Sequence, residues 1–224
     1  MSQIGSFLMS NIGLKILMAV SGILMSLFLL AHVAGNLIIL VSPEAFNEYA
    51  HLLTSNKALL YSAEAGLVAV VALHIFSAIV LSRRNRAARP QAYAYKKNTG
   101  LSRRSWASSN MIWTGSFIVI FLVFHILHFK FGDYVETEQD GVVMRDLADT
   151  VVAGFSNPWT VAFYVFALIL ILMHLRHGVR SAFASLGLES LRWAPAIQKT
   201  SDLFVFAVMG AFILIPLWIL ILGV

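Results

Sequence analysis

The chain has 224 residues, of which 59% are hydrophobic and only 12% charged, and that excludes an ordinary soluble domain. It contains no cysteine, which excludes disulfides, thiolate ligation and iron–sulfur sites held by this chain. A net charge of +5 would suit nucleic acid, but the charge is sorted by loop, a pattern of membrane topology.

Apolar runs near the membrane-span length of about 20 residues recur along the chain. They are Gly13–Leu40, Leu59–Leu81, Ser108–Phe129, Trp159–Phe183 and Leu203–Val224. The first is read as a span and not a leader, because it is too long and no small-residue cleavage site ends it. Residues 1–224 are therefore expected to form a single all-α membrane domain, a bundle of five transmembrane helices.

The loops between the spans carry opposite charges. After the second run come Arg83, Arg84, Arg86, Arg89, Lys96, Lys97, Arg103 and Arg104 with no acid among them. Around the end of the fourth come Arg176, Arg180, Arg192 and Lys199. The connection after the third instead carries Asp133, Glu136, Glu138, Asp140, Asp146 and Asp149. Lys and Arg mark the cytoplasmic side. The N-terminus and the loops 82–107 and 184–202 are expected to be cytoplasmic. The loops 41–58 and 130–158 and the C-terminus are expected outside. Gly132–Pro158 reads as an acidic, turn-rich connection. Trp106, Trp113, Trp159, Trp193 and Trp218 read as interface anchors, and Pro216 as a possible kink in an otherwise supporting fifth span.

Seven histidines punctuate this apolar chain, and only His51 lies in a loop. Ionisable groups within a span are rare and mark function by default. His32 lies roughly 12 Å, and His125 roughly 8 Å, from the outer ends of their spans at 1.5 Å per residue. His74 and His174 each lie roughly 22 Å from the outer ends of theirs. The four thus sort into an outer pair, His32 with His125, and an inner pair, His74 with His174, about 10–14 Å apart along the membrane normal. Two imidazoles at one level can ligate one iron from opposite faces, and two such levels suit two stacked haem groups. A zinc site would want three or four ligands converging on a point. A proton relay would pair histidines with carboxylates, and Glu64 is the one acid well inside a span. Gly22, Ser21, Ser26, Gly35, Gly178 and Ser181 are small residues that let a rigid ring or another helix approach. Arg176 and Arg180 lie just inside the inner pair, where propionates would need cations.

The segments "SGILMSLFLLAHVAGNL", "ALHIFSAI", "FHILHFKFG" and "MHLRHGVRSAFASLGL" closely resemble the helices of a known family. It is the five-span, b558-type cytochrome b subunit of succinate dehydrogenases and fumarate reductases, the succinate:quinone oxidoreductases. The resemblance covers about Ile12 to Leu220. It implies two haem b groups, His32 and His125 holding the outer and His74 and His174 the inner. It implies quinone as substrate, either menaquinone or ubiquinone. The implied partners are a flavoprotein subunit carrying FAD and an iron–sulfur subunit, docked on the cytoplasmic face of the inner cell membrane, with the basic 82–107 loop part of the dock. Succinate and fumarate chemistry would reside on the partners. Electrons would pass between iron–sulfur centres and a quinone near the outer surface. Glu64, roughly at the outer level, is expected to accept or deliver the quinone proton, with Glu44, Glu48 and His51 weaker candidates.

Two readings stand beside this one. A di-haem subunit of a hydrogenase or formate dehydrogenase would share the four histidines but dock a different partner. A transporter using histidines as proton carriers would call for more intramembrane carboxylates and broken helices. Within the family reading, one choice remains at "FHILHFK" and "MHLRHG", where a second histidine follows three residues on. His32 is followed at that slot by Gly35 and His74 by Ser77, so one ligand per helix is met by His125 and His174. His128 and His177 then become propionate-level or supporting groups, and the swapped assignment stays open.

Overall fold

The computed structural model describes residues 3–88 and 109–223. Most of the basic connection, with Arg89, Lys96, Lys97, Arg103, Arg104 and Trp106, lies outside the described residues, as does its expected role in docking.

Helix α1 (Gln3–Leu8) leads through a corner into α2 (Asn11–Asn36), which is capped by Ser10 Oγ accepting from Gly13 N at 3.0 Å. That corner is tight: a Cβ on Gly13 would fall within 3 Å of backbone atoms of Phe7 and Leu8. A 3₁₀ turn, Leu37–Leu40, completes span one. Helix α3 (Pro43–Ser55) starts with Ser42 as N-cap and proline in its first turn. Helix α4 (Lys57–Ala87) is span two. Helix α5 (Met111–His125) runs into a π-helical turn, Ile126–Lys130, and the two form span three. Strands β1 (Glu136–Gln139) and β2 (Val142–Arg145) follow, then helix α6 (Leu147–Phe155), span four as α7 (Pro158–Ser185) and span five as α8 (Ala194–Leu222).

The five expected spans are present, with ends that differ from the hydropathy reading. Span two continues past Leu81 to Ala87 and span five begins at Ala194, because polar residues extend a helix beyond the hydrocarbon without breaking it. The fifth helix runs through the buried Pro216 to Leu222. Two connections read as loops are structured. The 41–58 segment is largely helix α3, which places His51 on a helix. The acidic connection holds a hairpin and helix α6. The hairpin turns on Asp140-Gly141, both with positive φ (49° and 76°), the pairing that a two-residue turn of right-handed twist requires.

Span four sits centrally, packed against spans one, three and five, while span two packs on span one. Large apolar side chains such as Val68, Ile120 and Leu203 point outward, as lipid-facing residues do. At the acidic end, α3 and α6 close over the bundle. Phe46, Ala148, Val151 and Phe155 join Ile39, Phe121, Tyr164 and Ile215 in one apolar cluster. Asn47 ties the cap together. Its amide donates to Asp146 Oδ1 at 2.9 Å and accepts from Ala148 N at 2.8 Å, while Asp146 caps α6 through Asp149 N. At the opposite, basic end, Arg84 donates to Met9 O and Asn11 Oδ1. Arg176 pairs there with Asp202, and Arg180 with Glu189.

Candidate functional site: two facing histidine pairs

The helices bring the four deep histidines together two by two. His32 of α2 faces His125 of α5 with ring centres 6.0 Å apart and planes at 89°. His74 of α4 faces His174 of α7 at 6.5 Å and 62°. All four rings are half-buried. Metal–imidazole bonds are about 2 Å, and each nitrogen lies roughly 1 Å from its ring centre. One metal atom between two rings thus spans about 6 Å, the separation of both pairs. Among the described residues no group of three or more metal-ligating side chains converges, so each level offers two ligands from opposite sides.

Three helices give independent rulers for the distance between levels. Ser21 touches His74, and His32 lies 11 positions along the same helix, about 16 Å. Thr114 touches His174, and His125 lies 11 positions further, about 16 Å. Tyr164 touches His125 and lies ten positions, about 15 Å, from His174. These lengths run along the helix axes, and a tilt of the helices brings them toward the 10–14 Å inferred along the membrane normal. The outer ends of these four spans lie within two residues of the hydropathy reading, and contacts between side chains fix the register directly.

The Nδ1 partners decide what each ring offers. Ser21 Oγ lies 3.1 Å from His74 Nδ1 and already donates its proton to Leu17 O at 2.7 Å. Thr114 Oγ1 lies 3.0 Å from His174 Nδ1, with backbone acceptors Asn110 O and Met111 O at 3.2 Å. A hydroxyl whose proton is committed to the backbone can only accept from Nδ1–H. Each inner ring is thereby held with its proton on Nδ1, leaving the Nε2 lone pair for a metal. At the outer level, His125 Nδ1 lies 3.4 Å from Tyr164 Oη. His32 differs: Asn36 Nδ2 is 3.3 Å from its Nδ1 and donates to the His32 carbonyl at 2.7 Å. Three of the four rings thus face a hydroxyl oxygen, and the fourth faces an amide nitrogen.

Of the glycines expected to let a ring or helix approach, Gly22 borders a ring, Gly35 serves a neighbouring helix and Gly178 has nothing within 4 Å, while Gly115 joins them unexpected. A Cβ on Gly22 would lie 3.5 Å from His74, and one on Gly115 would lie 3.4 Å from His174, so both glycines border the inner rings. Gly35 instead makes room for the Tyr49 ring of α3, which a Cβ would meet at 2.5–2.8 Å. Ser77, one turn from His74, is fully buried, and its hydroxyl has no hydrogen-bond partner among the described residues.

The remaining candidates fall into separate places. His128 lies beside Tyr164 Oη at 3.1 Å and stacks on Phe129 at 4.3 Å. Its counterpart His177 makes no hydrogen bond among the described residues, so the two His-x-x-His copies are not equivalent. Arg176 is held by Asp202 through two bonds, at 2.8 and 3.0 Å, and Arg180 by Glu189 at 3.3 Å. Both guanidinium groups thus face acids of this chain, and not the inner pair. Glu64 forms an ion pair with Lys130, at the end of span three. Glu44 is fully exposed; its own backbone N–H and the Ser42 hydroxyl, which donates at 2.8 Å, hold its carboxyl below the usual carboxylate range. Glu48 and His51 line a shallow cavity of about 370 Å³ between α3 and the hairpin. At the basic end, Lys15, Ser181 and Ser185 line another of about 350 Å³. Thr114, Tyr164 and Lys130 had not stood out as site residues, and Ser21 only as a small residue, although a hydroxyl on an apolar helix is itself a signal.

The family model of the succinate dehydrogenase/fumarate reductase transmembrane subunit matches residues 82–215. The chain belongs to this family. The matched stretch covers more than half of the chain and includes His125, His128, His174 and His177. His32 and His74 lie outside it, and their place opposite the matched histidines comes from the fold alone. No curated relative and no solved structure matches the chain. As a member of this family, the chain is a multi-pass membrane anchor with a cytochrome b role in electron transport, and it associates with other subunits of a succinate dehydrogenase/fumarate reductase complex.

Proposed function

We propose that this chain is the di-haem, b558-type cytochrome b subunit of a succinate:quinone oxidoreductase, linking an iron–sulfur subunit to membrane quinone. The observation that carries this reading is the pair of facing histidines at each of two levels, at ring spacings of 6.0 and 6.5 Å. His32 and His125 would hold the outer haem, and His74 and His174 the inner. When bound, the haems supply one-electron carriers within the membrane.

What the chain's own residues do follows from their contacts. Ser21 and Thr114 fix the inner imidazoles in the tautomer that presents Nε2 to iron. Gly22 and Gly115 keep side chains away from those rings, and the orphaned Ser77 hydroxyl offers a polar group beside them. Lys15, with Ser181 and Ser185, supplies a cation and two hydroxyls at the basic end, where inner carboxylates would lie. Lys15 suits this better than Arg176 or Arg180, which are already paired. Glu64 accepts or delivers the proton that quinone chemistry must move with its electrons, and its ion pair with Lys130 positions the carboxylate.

The proposed orientation puts the basic end in the cytoplasm of a cell whose inner membrane carries the protein, with the flavin and iron–sulfur subunits docked there. The acidic cap of α3, the hairpin and α6 faces outside. The test is a reduced-minus-oxidised absorption spectrum of the purified complex, with haem counted per chain. Two b-type haems, copurifying with a covalent-flavin subunit and an iron–sulfur subunit, are expected. Absence of a b-type band refutes the reading. Copurification with a hydrogenase or formate dehydrogenase subunit instead moves the chain to that alternative.

A further inference from the structure

Tyr164 is buried at 3% exposure in the outer part of span four, surrounded by Phe121, Phe124, Phe129 and Phe155. Its hydroxyl sits between two imidazoles, 3.1 Å from His128 Nδ1 and 3.4 Å from His125 Nδ1. A phenol has one hydrogen, so it can donate to only one of them and must accept from the other. Unlike Ser21 and Thr114, it has no backbone carbonyl taking that hydrogen among the described residues.

We infer that Tyr164 is a positioning residue that links His125 to His128 in a hydrogen-bond chain of fixed direction, with His128 setting that direction. The inference rests on His125 being an iron ligand, as proposed above. The Nε2 of His125 is then needed for iron, so its proton is on Nδ1 and is donated to Tyr164 Oη. The phenol hydrogen is left for His128 Nδ1, and His128 keeps its own proton on Nε2. The reverse direction would place a proton on His125 Nε2 and block ligation.

Two features hold His128 in the receiving role. Its ring stacks on Phe129, with planes 28° apart. It also packs on the backbone of α6 at Gly154, where a Cβ would come within 3.0–3.1 Å of Cε1 and Nε2. The second histidine of "FHILHFK" is thus neither a spare ligand nor a group for propionates. It is the terminal acceptor that keeps the tyrosine from donating to the ligand. No equivalent exists on span four, where His174 has Thr114 and His177 has no such bridge.

A hydrogen bond from Nδ1–H makes an imidazole a stronger donor to its metal and favours the oxidised ion. The test is an optical redox titration of the purified complex, resolving two midpoint potentials. Tyr164→Phe keeps the ring and removes only the hydroxyl. Expected is an upward shift of one midpoint, with the other unmoved. Two His128 variants test direction. His128→Asn keeps an acceptor at the position of Nδ1 and is expected to retain the wild-type potential, whereas His128→Leu is expected to shift it the way Tyr164→Phe does. With both haems present, unmoved potentials in Tyr164→Phe overturn the inference, as do equal potentials in the two His128 variants. If Tyr164→Phe fails to keep the outer haem, the His128 comparison decides. A wild-type complex without b-type absorption overturns the function proposed above, a result distinct from two haems whose potentials ignore Tyr164.

Discussion

Glu64 and Lys130 form an ion pair that joins the outer half of span two to the end of span three. Both side chains are partly exposed, at 35% and 45%. An exposed pair contributes at most about 1 kcal/mol to stability, so its value to the fold is small. Its position matters more, because Lys130 lies five residues beyond His125 on the same span.

Glu64→Gln is accordingly expected to leave haem content and dye-linked succinate oxidation intact while lowering quinone-linked turnover by about 10²-fold, the lower range for loss of a proton-transfer group. Lys130→Met should lower it in the same direction by less. Parallel assays with a soluble dye and with quinone make the comparison. Full quinone turnover in Glu64→Gln removes the carboxylate from the mechanism.

Haem content separates the histidines. His125→Ala and His174→Ala should each lose one haem, and a different one. His128→Ala and His177→Ala should retain both, since neither faces a histidine of another span within the pairs seen here. Pyridine haemochrome counts per chain settle it, and loss of haem from His128→Ala but not from His125→Ala reverses the assignment.

Arg176 provides a prediction against its first reading. Its guanidinium is bound twice by Asp202 and lies over Phe206 at 5.6 Å. Arg176→Gln should therefore keep both haems and cost less than about 1 kcal/mol, as exposed pairs do. Lys15→Met should weaken retention of the inner haem instead. The opposite result in the same haem assay would return Arg176 to the propionates.

The outer cap depends on Asn47. Replacing it with alanine strips the bond to Asp146 and leaves the buried Ala148 N–H unsatisfied. A loss of about 1–3 kcal/mol is expected, localised to α3 and α6. Hydrogen exchange should show faster opening of 147–155, with the spans unchanged; equal protection in both proteins contradicts the latch.

The sequence made some of this legible because helical rise is constant. Five apolar stretches, alternating loop charge and histidine depth are one-dimensional properties, and they led to the same pairs the helices bring together. What depends on rotation about the helix axes was not readable. Tyr164 looked like one more aromatic in an apolar run, and only the packing of span four against span three aims its hydroxyl at two imidazoles. Arg176 was at the right depth for a propionate but turns to Asp202 on the neighbouring span. Helix α3 and the hairpin were hidden for a different reason. They are short and amphipathic, and their stability comes from contacts such as Asn47–Asp146, which are 99 positions apart in the chain.

The π-helical turn after His125 carries a consequence for sequence change. Phe131 N bonds to Ile126 O at 3.1 Å, a ring one residue wider than that of the α-helix leading into it. A turn of this kind holds one residue more than an α-helical turn, so deleting one residue from within it is expected to restore ordinary winding and leave what lies beyond close to its present orientation. His125 would stay where it is, and Lys130 would stay within reach of Glu64. The loss of one residue is therefore better tolerated here than anywhere else along the regular helix that precedes it.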